Sequence, residues 1–97
     1  MQGNAKVTTF LNELLSEELA AIDQYFIHSR MYQNWGYHKL FERAAHEVSD
    51  EQQHATMLIQ RILFLGGTPL MNARAQMVIG KTVPDMLQSD LNLEMRV

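Results

Sequence analysis

Apolar residues recur at helical spacing along most of the chain, and glycine and proline interrupt them at few places. The first such stretch begins near Val7, runs to Met31 and reaches Gly36, which can adopt the left-handed conformation that ends helices. The second ends at Leu65, before the Gly-Gly-Thr-Pro segment at 66–69. The pattern therefore predicts helices over about residues 5–34 and 38–65.

A turn of three residues separates these two helices, so we expect an antiparallel helical hairpin. A third helix is predicted over about residues 84–97, because Pro84 suits a first turn and Asp85 suits the positive end of the helix dipole. The connection at 66–82 can span about 55–60 Å when extended, enough to cross the whole hairpin. The sequence thus predicts one all-α domain over 1–97, half of a four-helix bundle with a long crossover.

Charged residues interrupt the apolar stripes of both long helices. Glu18 lies in the stripe of the first helix, and Glu51 and His54 lie one turn apart in the stripe of the second. In an antiparallel hairpin Glu18 and Glu51 lie at the same height. Ionised groups at a core-facing position are costly unless they are paired or bind a metal. We therefore expect a metal site, to which Glu94 of the third helix is a weaker addition.

Each of these residues also has a simpler explanation. Glu-x-x-His occurs often by chance, and a solvated helix end explains Glu94 almost as well as a ligand role. Tyr25 is better explained as a tyrosine packed in the core than as a redox group. His46 and Asp50 fit a solvated polar face better than a cation site. We expect the two remaining histidines to lie at the surface; they are His28 and His38.

Composition narrows the chemistry of the metal site. The 97 residues carry a net charge of −3 and no basic run, which makes nucleic acid an unexpected partner. Cysteine is absent, so disulfides and thiolate ligands are excluded. Carboxylate and imidazole ligands suit iron, manganese or zinc. There is no apolar leader or membrane-spanning run in the sequence, and we expect a cytoplasmic location with no membrane partner.

Two full helices and a short third one cannot cover one another's apolar stripes completely. We therefore expect the chain to assemble with something, either a second copy of itself or further chain. A C2 dimer of hairpins would bring two copies of Glu18, Glu51 and His54 to the centre of a rebuilt bundle.

Several longer runs carry a family likeness. The chain resembles bacterioferritin in runs that span nearly its whole length: 19–31, 34–36, 54–55, 61–65, Gly67, Pro69, 79–80 and 90–94. The resemblance implies a ferritin-like fold that forms 24-subunit shells, oxidises Fe(II) with O2 or peroxide and stores ferric mineral. The chain also differs from the family. The family's fourth helix, which carries a second Glu-x-x-His, has no counterpart in these 97 residues.

The resemblance also assigns roles to individual positions. It implies a di-iron ferroxidase centre with ligands Glu18, Glu51, His54 and Glu94, in which Glu51 bridges the two irons. Tyr25 matches a residue beside that centre, and His46 with Asp50 matches an inner-surface iron site of some members. Bacterioferritins bind haem through a methionine where this chain has Gln52, so we expect no haem, as in haem-free bacterial ferritins.

Two functions follow as alternatives. The first is an iron-storage subunit with ferroxidase activity, and the second is a truncated, non-catalytic helical shell subunit or partner with an incomplete iron site. A metal-free helical adaptor is disfavoured, because Glu18 and Glu51 would then need cationic partners and neither stripe carries Lys or Arg before Arg61.

Overall fold

Three α-helices make up the part of the chain that the computed structural model describes, residues 5–70 and 79–96. They are α1 (Ala5–Asn34), α2 (His38–Phe64) and α3 (Val83–Arg96). The all-α prediction is confirmed, and the predicted helix boundaries that fall within the described residues lie within one residue of the observed ones. Residues 71–78 of the predicted crossover and Val97 of the predicted third helix lie outside the described residues.

Glycine ends both long helices in the same way. At the end of α1, Gly36 has φ 82°, and the N–H of Tyr37 donates to the carbonyl of Tyr32 at 2.9 Å. At the end of α2, Gly66 has φ 79°, and the N–H of Gly67 donates to the carbonyl of Ile62 at 3.0 Å. This bonding satisfies the last helical carbonyls and requires a positive φ that glycine adopts without strain. The chain therefore reverses sharply after Asn34.

The helices α1 and α2 form the predicted antiparallel hairpin. At one end Leu15 of α1 packs with Ala55 and Ile62 of α2, and at the other end Tyr32 packs with Ala44. Residues late in α1 thus face residues early in α2. The hairpin dominates a molecule whose extents are 49 × 20 × 19 Å.

Helix α3 lies on α1 and runs antiparallel to it. Its Met86 is fully buried beside Tyr32, and its Leu93 packs on Ala21 and Tyr25, closer to the middle of α1. Helix α3 therefore begins at the hairpin turn, at the end of the molecule opposite to the end of α2.

The crossover starts at the open end of the hairpin. There Asn12 of α1 donates a hydrogen bond to the carbonyl of Thr68 at 3.1 Å and accepts one from the N–H of Leu70 at 2.9 Å. Because α3 begins at the other end, the connection between α2 and α3 spans the length of the hairpin. The two ends of the connection thus lie at opposite ends of the hairpin, as the predicted long crossover requires.

A groove between α2 and α3 remains open at the fourth position of the bundle. It encloses a cavity of about 350 Å³ lined by Leu40, Ala44 and Glu47 of α2, Leu87 and Leu91 of α3 and residues of α1. Leu87 and Leu91 are about half exposed there. The three described helices thus occupy three positions of a four-helix arrangement. Among them, none is both long enough and apolar enough to cross a bilayer.

Candidate metal centre

The hairpin brings together the three residues that interrupt the apolar stripes. Glu18 and Glu51 are 7% and 6% exposed, at the interface of α1 and α2. His54 lies one turn after Glu51, and its Nδ1 is 3.4 Å from Glu51 Oε2 and 3.6 Å from Glu18 Oε2. One ligand atom from each residue lies within 4.8 Å of the others. The predicted equal height of the two glutamates is therefore observed.

The two glutamates are buried without full compensation. Glu18 Oε2 is inaccessible to solvent and makes no hydrogen bond. Burial raises the pKa of Glu51, and the neighbouring Glu94 carboxylate raises it further, while His54 acts in the opposite direction. A buried acceptor without a donor costs free energy, and a second buried carboxylate beside it adds electrostatic repulsion. A cation between them would remove both penalties, so the donor set fits a divalent metal.

A second cluster of carboxylates adjoins the first. Glu47, Glu51 and Glu94 each place one oxygen within 4.8 Å of the others. Glu51 belongs to both of these clusters. Glu47 is not among the predicted ligands, although it lies one turn before Glu51 on the same face of α2.

Glu94 reaches this cluster from α3 although the residue is largely exposed. Its Oε1 accepts a hydrogen bond from the Tyr25 hydroxyl at 2.5 Å. Burial raises the pKa of Tyr25 well above its ordinary range, and the hydrogen bond to Glu94 adds to that shift. Tyr25 is both a core residue, packed on Ala21 and Leu93, and a partner of Glu94. The predicted packed core position of Tyr25 is therefore confirmed.

The remaining predicted residues lie apart from these clusters. His46 Nε2 is 3.6 Å from Asp50 Oδ2, with side chains that are 72% and 44% exposed, as a solvated pair would be. Gln52, which stands where the resemblance implies a haem-binding methionine in bacterioferritins, is exposed on α2.

The prediction that His28 lies at the surface is wrong. It is 0% exposed, and its Nδ1 is 2.9 Å from Asp90 Oδ1. Helix α3 covers this face of α1 and buries His28. The sequence pattern around His28 does not indicate a contact with a residue so distant along the chain. His38 is exposed, as expected.

Known proteins are similar to this chain in sequence. A family model described as a ferritin-like domain matches residues 8–97. The chain is 59% identical over its whole length to a bacterial ferritin of Neisseria meningitidis serogroup B and 56% identical to one of Pseudomonas aeruginosa, and it covers 62% of each. It is 42% identical to a bacterioferritin of Mycobacterium leprae, of which it covers 61%. The resemblance to bacterioferritins is thus confirmed, and the chain spans less than two thirds of these curated relatives.

Proposed function

The chain belongs to the ferritin family, and from this premise we propose that it stores iron and oxidises Fe(II) to Fe(III) at the two carboxylate clusters. The observation that carries the proposal is the place of Glu51, which belongs to both clusters. A carboxylate shared between two neighbouring cations is what a two-iron oxidation site requires, because two one-electron donors must lie close together.

Each residue has a distinct part in the proposal. Glu18 and His54 hold one Fe(II), Glu94 holds the other, and Glu51 bridges them. Carboxylates suit this reaction because their charge stabilises Fe(III) more than Fe(II). Glu47, half-buried beside Glu51 and Glu94, adds negative charge on the side of the second ion.

The redox balance needs no group beyond the iron and an oxidant. Two Fe(II) ions release two electrons, which with two protons reduce O2 to hydrogen peroxide, or reduce hydrogen peroxide to two water molecules. The raised pKa of Glu51 means that metal binding displaces a proton from this carboxyl more often than from an exposed one. The Tyr25 hydroxyl stays protonated and holds Glu94 at the site.

We propose that a helix seated along the groove between α2 and α3 completes the site. Such a helix would supply the fourth side of the bundle and further ligands to the second ion. A second copy of the α1–α2 hairpin would have to displace α3 from α1, so the dimer of hairpins is the less favourable route. Assembly into a homo-oligomer, with the 24-subunit shell of the family, and a cytoplasmic location belong to the same proposal.

Oxygen uptake after anaerobic loading with Fe(II) tests the activity. We expect the unaltered chain to consume O2 and the Glu18→Gln/Glu51→Gln variant to lose this activity. Glu42→Gln, an exposed glutamate of α2, is the matched control and should retain it. Equal uptake by all three proteins would remove the ferroxidase claim.

The alternative is a non-catalytic shell subunit with an incomplete iron site. The observation in its favour is that each described cluster supplies only three residues. Fe(II) binding without O2 uptake, both in the chain alone and after supplying a peptide for the fourth helix, would support it over the ferroxidase.

A further inference from the structure

We infer that His28 is a positioning residue: together with Gln24 and Asp90 it sets the register of α3 on α1 and so places Glu94 beside Glu51. The inference rests on the proposed function in so far as Glu94 is a ligand there. None of the three residues lies in the two carboxylate clusters. His28 and Gln24 are 0% and 1% exposed, so both are fully buried polar side chains.

The three side chains meet at a single carboxylate oxygen. His28 Nδ1 lies 2.9 Å from Asp90 Oδ1, and the Gln24 side-chain amide donates to the same oxygen at 2.9 Å. Gln24 and His28 are four residues apart, so they project from one face of α1 towards α3. Two donors from α1 thus hold one acceptor of α3 from both sides.

The other nitrogen of His28 fixes its tautomer. The backbone N–H of Gly80 donates to His28 Nε2 at 3.3 Å, and that contact is buried. Because a backbone N–H can only donate, Nε2 is the acceptor of this hydrogen bond. The ring proton is then on Nδ1, which donates a hydrogen bond to Asp90. The His28 imidazole therefore bridges the segment that enters α3 and the helix itself.

Gly80 is shaped for this contact. A Cβ atom on Gly80 would lie 2.5 Å from the backbone nitrogen of Met86. The absent side chain lets this segment lie directly against the first turn of α3. His28 thereby holds α3 at two points, through Gly80 before the helix and through Asp90 within it.

This contact bears on the metal centre because Asp90 and Glu94 are one turn apart on α3. Residues four positions apart share a face, so the orientation of Asp90 also sets the direction of Glu94. The apolar contacts of Met86 and Leu93 favour burial but tolerate small rotations and shifts. Hydrogen bonds to the partly buried Asp90 carboxylate are directional, and losing their partners is costly. Glu94 itself is exposed, so burial does not hold it in place.

A Co(II) titration followed by visible absorption separates positioning from general damage, because only one of the two clusters depends on α3. Glu94→Gln and His54→Gln provide reference spectra in which one cluster at a time is impaired. In His28→Leu we expect the affinity at the Glu94 cluster to fall by about 10-fold, the lower end of the effect of removing a partner bonded directly to a ligand, because His28 acts on Glu94 through Asp90. Binding at Glu18, Glu51 and His54 should stay within about threefold of the unaltered chain.

Two further variants sharpen the comparison. His28→Asn keeps an N–H donor near the position of Nδ1 and should recover most of the lost affinity. His38→Leu removes an exposed histidine and is the matched control, expected to bind Co(II) at both clusters like the unaltered chain. Asp90→Leu takes the place of His28→Leu if the latter does not give a helical circular dichroism spectrum.

Amide hydrogen exchange in the metal-free chain supplies a second readout that is independent of metal. In His28→Leu exchange should quicken across residues 83–96, while the centre of α2 keeps its protection. Unchanged exchange in α3, equal weakening of both cobalt sites, or unchanged cobalt affinity would each overturn the positioning role. Failure of the unaltered chain to bind Co(II) at all would instead refute the proposed function, and hydrogen exchange would still decide whether His28 anchors α3.

Discussion

Replacing Glu51 with Gln should stabilise the metal-free chain while abolishing its metal site. The substitution keeps the shape of the side chain and removes a buried charge whose oxygen lies within 4.8 Å of an oxygen of Glu94. Two unit charges at that distance repel by about 3.5 kcal/mol at an effective dielectric constant of about 20. Because Glu94 is largely exposed, solvent screening reduces the expected gain to about 1–2 kcal/mol. That gain corresponds to a rise in Tm of about 4–16 °C for a domain of this size.

The pH dependence gives the sign of the effect. Since burial raises the pKa of Glu51 in the folded chain, its contribution to stability is fully present below the unfolded pKa of about 4.3. That contribution is lost as the pH rises through the folded pKa. The advantage of Glu51→Gln should therefore be near zero at about pH 4 and reach its maximum once Glu51 is ionised in the folded state.

Urea unfolding followed by circular dichroism measures this difference, with Glu42→Gln as the control that should lie within about 0.5 kcal/mol of the unaltered chain. Adding Co(II) should reverse the order, because a ligand at about 100 times its Kd stabilises the chain that binds it by about 2.7 kcal/mol. A variant that is less stable than the unaltered chain at neutral pH, or an advantage that does not vary with pH, would refute the reasoning.

Three further predictions concern the single residues Tyr25, Ile62 and Gln52. Tyr25→Phe loses the hydrogen bond to Glu94 and should lower the free energy of unfolding by about 1 kcal/mol at neutral pH. Because the pKa of Tyr25 is raised in the folded chain, this difference should shrink above about pH 10. Urea unfolding at several pH values measures it. Ile62→Ala should lower the free energy of unfolding by about 2–5 kcal/mol because Ile62 is 0% exposed, whereas Leu63→Ala at a 58% exposed position should change it little. With Gln52 in the haem-linked position, added haemin should give no specific Soret spectrum, and a tightly bound haem lost on Gln52→Ala would contradict this.

Helix positions were predictable because local chemistry decides them. The glycines at 36 and 66 end helices whose apolar period is unbroken, and the short turn between α1 and α2 leaves only an antiparallel arrangement. Glu18 and Glu51 were predictable for a related reason. A charge in an apolar stripe conflicts with its neighbours, and the hairpin geometry then places the two conflicts opposite each other.

The contacts of α3 were not predictable in the same way. His28 and Asp90 are 62 positions apart, and no periodicity within either helix relates them. The buried state of His28 depends on α3 lying over α1, which the sequence pattern predicted only as a short helix after a crossover. Glu47 lies one turn before Glu51 on the same stripe, but only the packing of α3 brings Glu94 close enough to form a cluster with it. Tertiary packing alone distinguishes such residues.

The central claim is that two metal ions share Glu51, and anomalous X-ray scattering at the iron edge tests it directly. Crystals grown without oxygen in the presence of Fe(II) should show one iron peak among Glu18, Glu51 and His54 and a second peak beside Glu51 and Glu94. Iron found only on the exposed His46 and Asp50 pair, with both carboxylate clusters empty, would contradict the account.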